Sequence, residues 1–193
     1  MRLLFMGPPG AGKGTQAATL SEQLGVPQIA TGDIFRANVS AGTELGRTAK
    51  RYMDAGDYVP DSVTNDMVRD RLSEPDASGG FLLDGYPRTV DQVRTLDSIL
   101  TDLGTRLDGV VALQVPREEL VARLVRRAEE DGRSDDTEEV IRYRQQVYVE
   151  QTAPLLEEYS SRGILIEVDG TGEVDDVHER VMHAVSSVRP DHR

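Results

Sequence analysis

Short apolar runs alternate along the chain with longer stretches whose apolar residues recur at helical spacing, the pattern of a parallel sheet with crossover helices. The runs predict strands over 2–6, 27–30, 80–83, 109–115 and 163–168. The helical spacing predicts helices over 13–24, 33–41, 44–54, 61–73, 90–103, 118–130, 136–159 and 175–188, with Thr43 and Thr89 as N-caps. Pro154 is expected to kink or break the longest of them. About 50 residues separate the second and third strands, too many for one crossover helix, so a small helical insertion is expected there. With no repeat, low-complexity segment or separable linker, the pattern predicts a single α/β domain around a five-stranded parallel sheet.

Composition adds limits to this picture. A hydrophobic content of 38% over 193 residues suffices for a core. No apolar run approaches the roughly 20 residues that span a bilayer, and no basic segment with a signal-type apolar core opens the chain, so a cytoplasmic location is expected. A net charge of −12 argues against sustained nucleic-acid binding, and any anionic ligand must find concentrated positive charge. Among the 22 basic residues only Lys13 and Lys50 are lysines. The rest are guanidinium forks suited to phosphate, although genomic base composition accounts for most of that bias. With no cysteine the chain has no disulfide and no thiolate zinc site. His178, His183 and His192 read as surface residues.

The chemistry concentrates at strand ends. Residues 7–16 read Gly-Pro-Pro-Gly-Ala-Gly-Lys-Gly-Thr-Gln directly after Leu3-Leu4-Phe5-Met6. A strand passing through such a loop into a helix aims backbone N–H groups and the positive helix end at one point, where a polyphosphate can sit. Lys13 adds a mobile charge; Gly14 stands where the stock pattern has a hydroxyl, which arrives one residue later on Thr15. Phe81-Leu82-Leu83-Asp84 ends in a carboxylate that in phosphate-loop proteins can hold Mg²⁺ through water, with Thr15 a second candidate. Gly85-Tyr86-Pro87-Arg88 then places an arginine at the same sheet edge. Thr31-Gly32-Asp33-Ile34-Phe35-Arg36 repeats that logic at the second strand, and the two arginines suggest a second anionic ligand. Arg123, Arg127, Arg133 and Arg144 flank a polar hairpin; singly each would be a surface ion pair, but four around one segment point to a catalytic cover.

Taken in order along the chain, these motifs, with Gln92, Arg133-Ser-Asp-Asp136 and Asp169-Gly-Thr171, resemble the adenylate kinases of the nucleoside monophosphate kinase family from Met1 to about Ser187. The resemblance implies a three-layer phosphate-loop fold with a monophosphate-binding insertion over 30–59 and a short lid over 126–136. It implies reversible transfer of the γ-phosphoryl group of Mg-ATP to AMP, giving two ADP, by a monomer with no nucleic-acid or membrane partner. Carried over by position, Gly10, Ala11, Gly12, Lys13, Gly14 and Thr15 hold ATP phosphates, with Arg123 and Arg127 approaching them and the backbone at Gly172 facing the adenine. Thr31, Arg36, Asp57, Tyr58, Val59, Gly85, Tyr86, Pro87, Arg88 and Gln92 hold AMP, with Gln92 reading the base edge. Arg133 and Arg144 close over the transfer site from the AMP side. Lys13, Arg88, Arg123, Arg127, Arg133 and Arg144 carry the catalytic charge.

The chain departs from the family in having Asp57 and Gly172 where some relatives carry lysine, so contacts there must come from the backbone. UMP/CMP kinases share the short lid and most of these motifs, but tend to have Ala where this chain has Thr31. A GTPase-like switch would need an Asn-Lys-x-Asp guanine reader, which is missing. A non-catalytic nucleotide-binding regulator would have lost Lys13, Asp84 and the arginines, which are present.

Overall fold

A computed structural model describes residues 1–131 and 137–188, with backbone alone for residues 128–131. The sheet has five parallel strands in the order β2-β3-β1-β4-β5: β1 (Arg2–Met6), β2 (Gln28–Ala30), β3 (Phe81–Asp84), β4 (Gly109–Gln114) and β5 (Leu165–Asp169). The middles of its inner strands are continuously apolar because both faces are covered. Leu4, Met6, Phe81, Leu83, Val110 and Ala112 enter the core on one face. Leu3, Phe5, Leu82, Val111 and Leu113 enter the other.

From β1 the chain leaves through α1 (Lys13–Leu24) toward β2, and every later connection runs the opposite way across the sheet. Helices therefore cover both faces. α4 (Asp61–Leu72), α5 (Val90–Asp102) and α8 (Leu155–Ser161) supply Val68, Leu72, Leu96, Ile99, Leu155 and Tyr159 to the first core. α1, α6 (Arg117–Asp131) and α9 (Val174–Ser186) supply Leu20, Leu120, Val177, Val181 and Val185 to the second. Between β2 and α4 lie α2 (Thr31–Ala41) and α3 (Glu44–Ala55), with a small core of their own built on Phe35, Ala49 and Val59. Thr43 caps α3 by accepting from the Gly46 N–H, and Thr89 caps α5 by accepting from the Gln92 N–H. No helix among the described residues is long and apolar enough to cross a membrane.

Two expectations are corrected. The helix expected over 136–159 is α7 (Glu138–Val147), a π turn at Tyr148–Thr152, and α8. Pro154 has no N–H to donate and its ring crowds the carbonyl four residues back, so the preceding turn widens, and the Ala153 N–H reaches the Tyr148 carbonyl at 2.9 Å. His178 is also not a surface residue. Its ring lies between α9 and α1, with Nδ1 3.2 Å from Gln16 Oε1 and Nε2 buried. His183 is exposed as expected, and His192 lies outside the described residues.

Candidate active site

The carboxyl ends of β2, β3 and β1 sit side by side, so the segments leaving them converge. From β1 comes the phosphate loop. Gly10 has φ +87°, and a Cβ there would lie 2.9 Å from Leu124 Cγ and 3.0 Å from the Leu120 carbonyl, so the loop backbone is pressed against α6 in a way only glycine allows. From the other side Gln145 Nε2 of α7 donates to the Pro9 carbonyl at 2.8 Å.

Lys13 opens α1 and folds back over its own loop, its ammonium donating to the carbonyls of Gly7 at 2.9 Å and Pro8 at 3.1 Å. Burial lowers its pKa to about 8; Asp84 pulls the other way, while Arg88 and Arg127 reinforce the drop. An ammonium this short of compensating charge is suited to polyphosphate. Asp84 is in the mirror situation: burial pushes its carboxyl above the usual range, and Lys13 and Arg88 resist. Its Oδ2 would lie 3.8 Å from a Cβ placed on Gly14, so the carboxylate faces the first turn of α1, close to Thr15.

β3 continues into the turn that carries Arg88. Gly85 has φ +81°, and a Cβ there would fall 2.7 Å from Thr31 Oγ1. That approach lets Thr31, opening α2, donate to the Gly85 carbonyl at 3.0 Å and tie β2's exit to β3's. The Tyr86–Pro87 peptide is cis. Buried Tyr86 donates to Asn65 Oδ1 at 2.7 Å. Arg88 is held from four directions. Its Nε donates to the Gly85 carbonyl at 2.8 Å, its N–H donates to Gln92 Oε1 at 2.7 Å, and its carbonyl accepts from Thr152 Oγ1 at 2.9 Å. Its guanidinium lies over the Tyr58 ring, 4.9 Å from the centroid. The Tyr58 hydroxyl is 2.8 Å from Thr152 Oγ1, which closes the cage.

The remaining charges line the same cleft. Arg123 donates to the Gly170 carbonyl at 3.0 Å and pairs with Glu119. Arg144 reaches the Met53 carbonyl at 3.4 Å, Arg36 pairs with Asp33 at 2.5 Å, and Arg127 stands one helical turn beyond Arg123. Asp57, expected to meet the acceptor nucleotide through its backbone, has its carboxylate engaged by protein: the Tyr143 hydroxyl donates to it at 2.7 Å. Arg133 and the rest of 132–136, part of the segment expected as a lid, lie outside the described residues.

Every other site residue named from the sequence lines a single cleft of about 1120 Å³. That exceeds the ~300–1,000 Å³ usual for one small ligand and suits two nucleotides end to end. Among the partners in this arrangement that were not named are Thr152, Asp61, whose carboxylate meets Gln92, and Gln145. The first two had faint signals, Thr152 as a polar residue beside a helix-breaking proline and Asp61 as an acid opening a helix after Pro60. Among the described residues no group of three or more His, Asp or Glu side chains could hold a metal ion.

A parallel α/β sheet whose phosphate loop faces converging arginines across one cleft defines a nucleotide-binding protein of the phosphate-loop class. The adenylate kinase family model matches residues 5–164. An adenylate kinase of a Nocardioides species is 62% identical over 188 residues, 97% of this chain and 98% of that one. That of Kocuria rhizophila is 64% identical over 184 residues (95% and 98%), and that of Thermobifida fusca 57% over 187 residues (97% and 99%). The chain belongs to the adenylate kinase family.

Proposed function

We propose that this chain catalyses reversible transfer of the γ-phosphoryl group of ATP to AMP, giving two ADP. The observation that carries the reading is the single cleft in which a phosphate loop with Lys13 faces an arginine, Arg88, caged from four directions. Phosphoryl transfer passes through a loose transition state with charge spread over equatorial oxygens, so it needs positioned cations and exclusion of water more than a base. The phosphate of AMP is already ionised and needs no deprotonation. This fits a cleft supplied with Lys13, Arg36, Arg88, Arg123, Arg127 and Arg144.

In this reading Gly10 to Thr15 cradle the ATP phosphates, and Lys13 leaves the Gly7 and Pro8 carbonyls to follow the transferred group. Arg123 and Arg127 approach from α6, and the backbone near Gly172 meets the adenine. Arg36 and Arg88 hold the AMP phosphate, while Thr31, the stretch 57–59, the Gly85 turn and Gln92 enclose the nucleoside. Arg144, with Arg133, closes from the AMP side. Residues 30–59 form the AMP-binding insertion and 126–136 the short lid.

Mg²⁺ would be held by Asp84 through water, with Thr15 beside it. The fit rests on a buried carboxylate at the first turn of α1 whose charge is undercompensated. A single carboxylate suits an ion that keeps most of its waters and takes its other ligands from substrate phosphates. When bound, the ion would neutralise negative charge developing on the transferred group.

A coupled assay of ADP formation, offering AMP, CMP, UMP and GMP with Mg-ATP, tests the reading. AMP is expected to lead, and chelating Mg²⁺ is expected to abolish turnover until the ion is restored. Preference for a pyrimidine monophosphate would make the chain a UMP/CMP-type enzyme; no transfer to any acceptor would remove the enzymatic reading.

A further inference from the structure

Gln92 is almost fully buried, lines the cleft, and has both ends of its amide engaged by protein. Its Oε1 accepts from the Arg88 N–H at 2.7 Å, and its Nε2 donates to Asp61 Oδ1 at 2.7 Å. Asp61 is itself held, because the Thr89 hydroxyl donates to its other oxygen at 2.7 Å. A side-chain amide can usually be turned over without loss, since oxygen and nitrogen exchange places. Here it cannot. A backbone N–H only donates and an ionised carboxylate only accepts, so the flipped amide would set donor against donor and oxygen against oxygen.

We infer that Asp61 is a base-selection residue: its contact with Gln92 fixes the direction of that amide and so sets which base edges the acceptor pocket takes. This rests on the proposed reading in which Gln92 faces the base of the acceptor nucleotide. With one N–H and one oxygen lone pair committed to Asp61 and Arg88, Gln92 offers the base one remaining donor and one remaining acceptor in a set order. Adenine presents an amino donor beside a ring-nitrogen acceptor, and cytosine has the same order. Guanine and uracil have the reverse, a carbonyl acceptor beside a ring N–H. The locked amide thus excludes guanine and uracil by hydrogen-bond polarity, while the choice of adenine over cytosine falls to pocket size. Exclusion by mismatched buried polar groups is stronger than exclusion by shape.

The test compares the parent protein with Asp61→Asn, nearly isosteric and able to meet either end of the amide, and Asp61→Ala, which meets neither. For each, kcat/KM is measured with AMP, CMP, GMP and UMP at saturating Mg-ATP, with thermal unfolding as a check on folding. The expected result is a rise of about tenfold in the GMP-to-AMP and UMP-to-AMP ratios, the scale of one hydrogen bond to a charged group, with the CMP-to-AMP ratio unchanged. Should Asp61→Ala not fold, Asp61→Asn alone decides. A common fall for all four acceptors would reduce Asp61 to a structural role. A rise for CMP matching that for GMP and UMP would mean a loosened pocket, and unchanged ratios would overturn the inference outright. The parent protein's own acceptor preference separately tests the reading on which this rests.

Discussion

The two halves of the cleft are built by different means. The proposed donor half is built on one contiguous stretch, residues 7–16, of backbone amides and a single lysine, a loop seated by a glycine's close approach to α6 and one hydrogen bond from Gln145. The acceptor half is assembled from side chains far apart in sequence. Thr31, Tyr58, Asp61, Gln92 and Thr152 make interlocking contacts, and together they hold Arg88 and its neighbours in place. A backbone cradle is indifferent to what lies on the far side of a phosphate chain. A side-chain cage can discriminate, because each member restricts what the next can present.

The sharpest way to break this comparison is at the lysine of the phosphate loop. Lys13→Met is expected to lower kcat about 10³-fold or more while the unfolding temperature changes little, since no element depends on that ammonium. A folded variant with near-normal ADP formation would sink the assignment. The next largest effect is expected across the cleft. Arg88→Lys keeps the charge but loses the planar fork and the stack on Tyr58, and should cost about 10²–10³ in kcat/KM for AMP. If lysine serves as well as arginine, the cage positions only a charge.

Gly85→Ala tests the join between the two strand exits. Positive φ and the approach to Thr31 together should cost roughly 1–3 kcal/mol, read as a fall in Tm of roughly 2–4 °C for each kcal/mol, with a raised KM for AMP. The smallest effect is expected at Thr152. Thr152→Val keeps the shape but leaves the Arg88 carbonyl and the Tyr58 hydroxyl without their partner. The KM for AMP should rise about five- to tenfold with the KM for ATP unchanged, and Thr152→Ser should restore it. An equal rise in both Michaelis constants would show that the cage serves the whole cleft and that the contrast between the halves is false.

The same contrast explains what could be read from the chain. The strands lie within one or two residues of the apolar runs that predicted them, and the loop, Asp84 and the Arg88 turn follow because each sits at the end of such a run. Their chemistry is local. Thr152 and Asp61 were not readable in that way, since their partners lie 64 and 31 residues away and nothing in their immediate sequence names them. Pro154 signalled a break but not its form; the π turn reflects how Thr152 and Leu155 are both accommodated between the Arg88 turn and the core. His178 was legible and misread: it stands three residues before Val181 and seven before Val185, beside the buried stripe of α9 rather than on its outer face.

Three consecutive residues of α7 carry a further consequence. Tyr143 and Arg144 hold the segment that follows α3, through Asp57 and the Met53 carbonyl, while Gln145 holds the phosphate loop through Pro9. One rod therefore touches both sides of the cleft, and any displacement of α7 would act on both. Thermodynamic reciprocity then constrains the size of any coupling: by whatever factor the first nucleotide alters affinity for the second, the second alters affinity for the first by the same factor. Substitutions at residues 143–145 are therefore expected to change how each nucleotide alters the affinity of the other, read as its Kd with and without the second nucleotide, more than how tightly either binds alone.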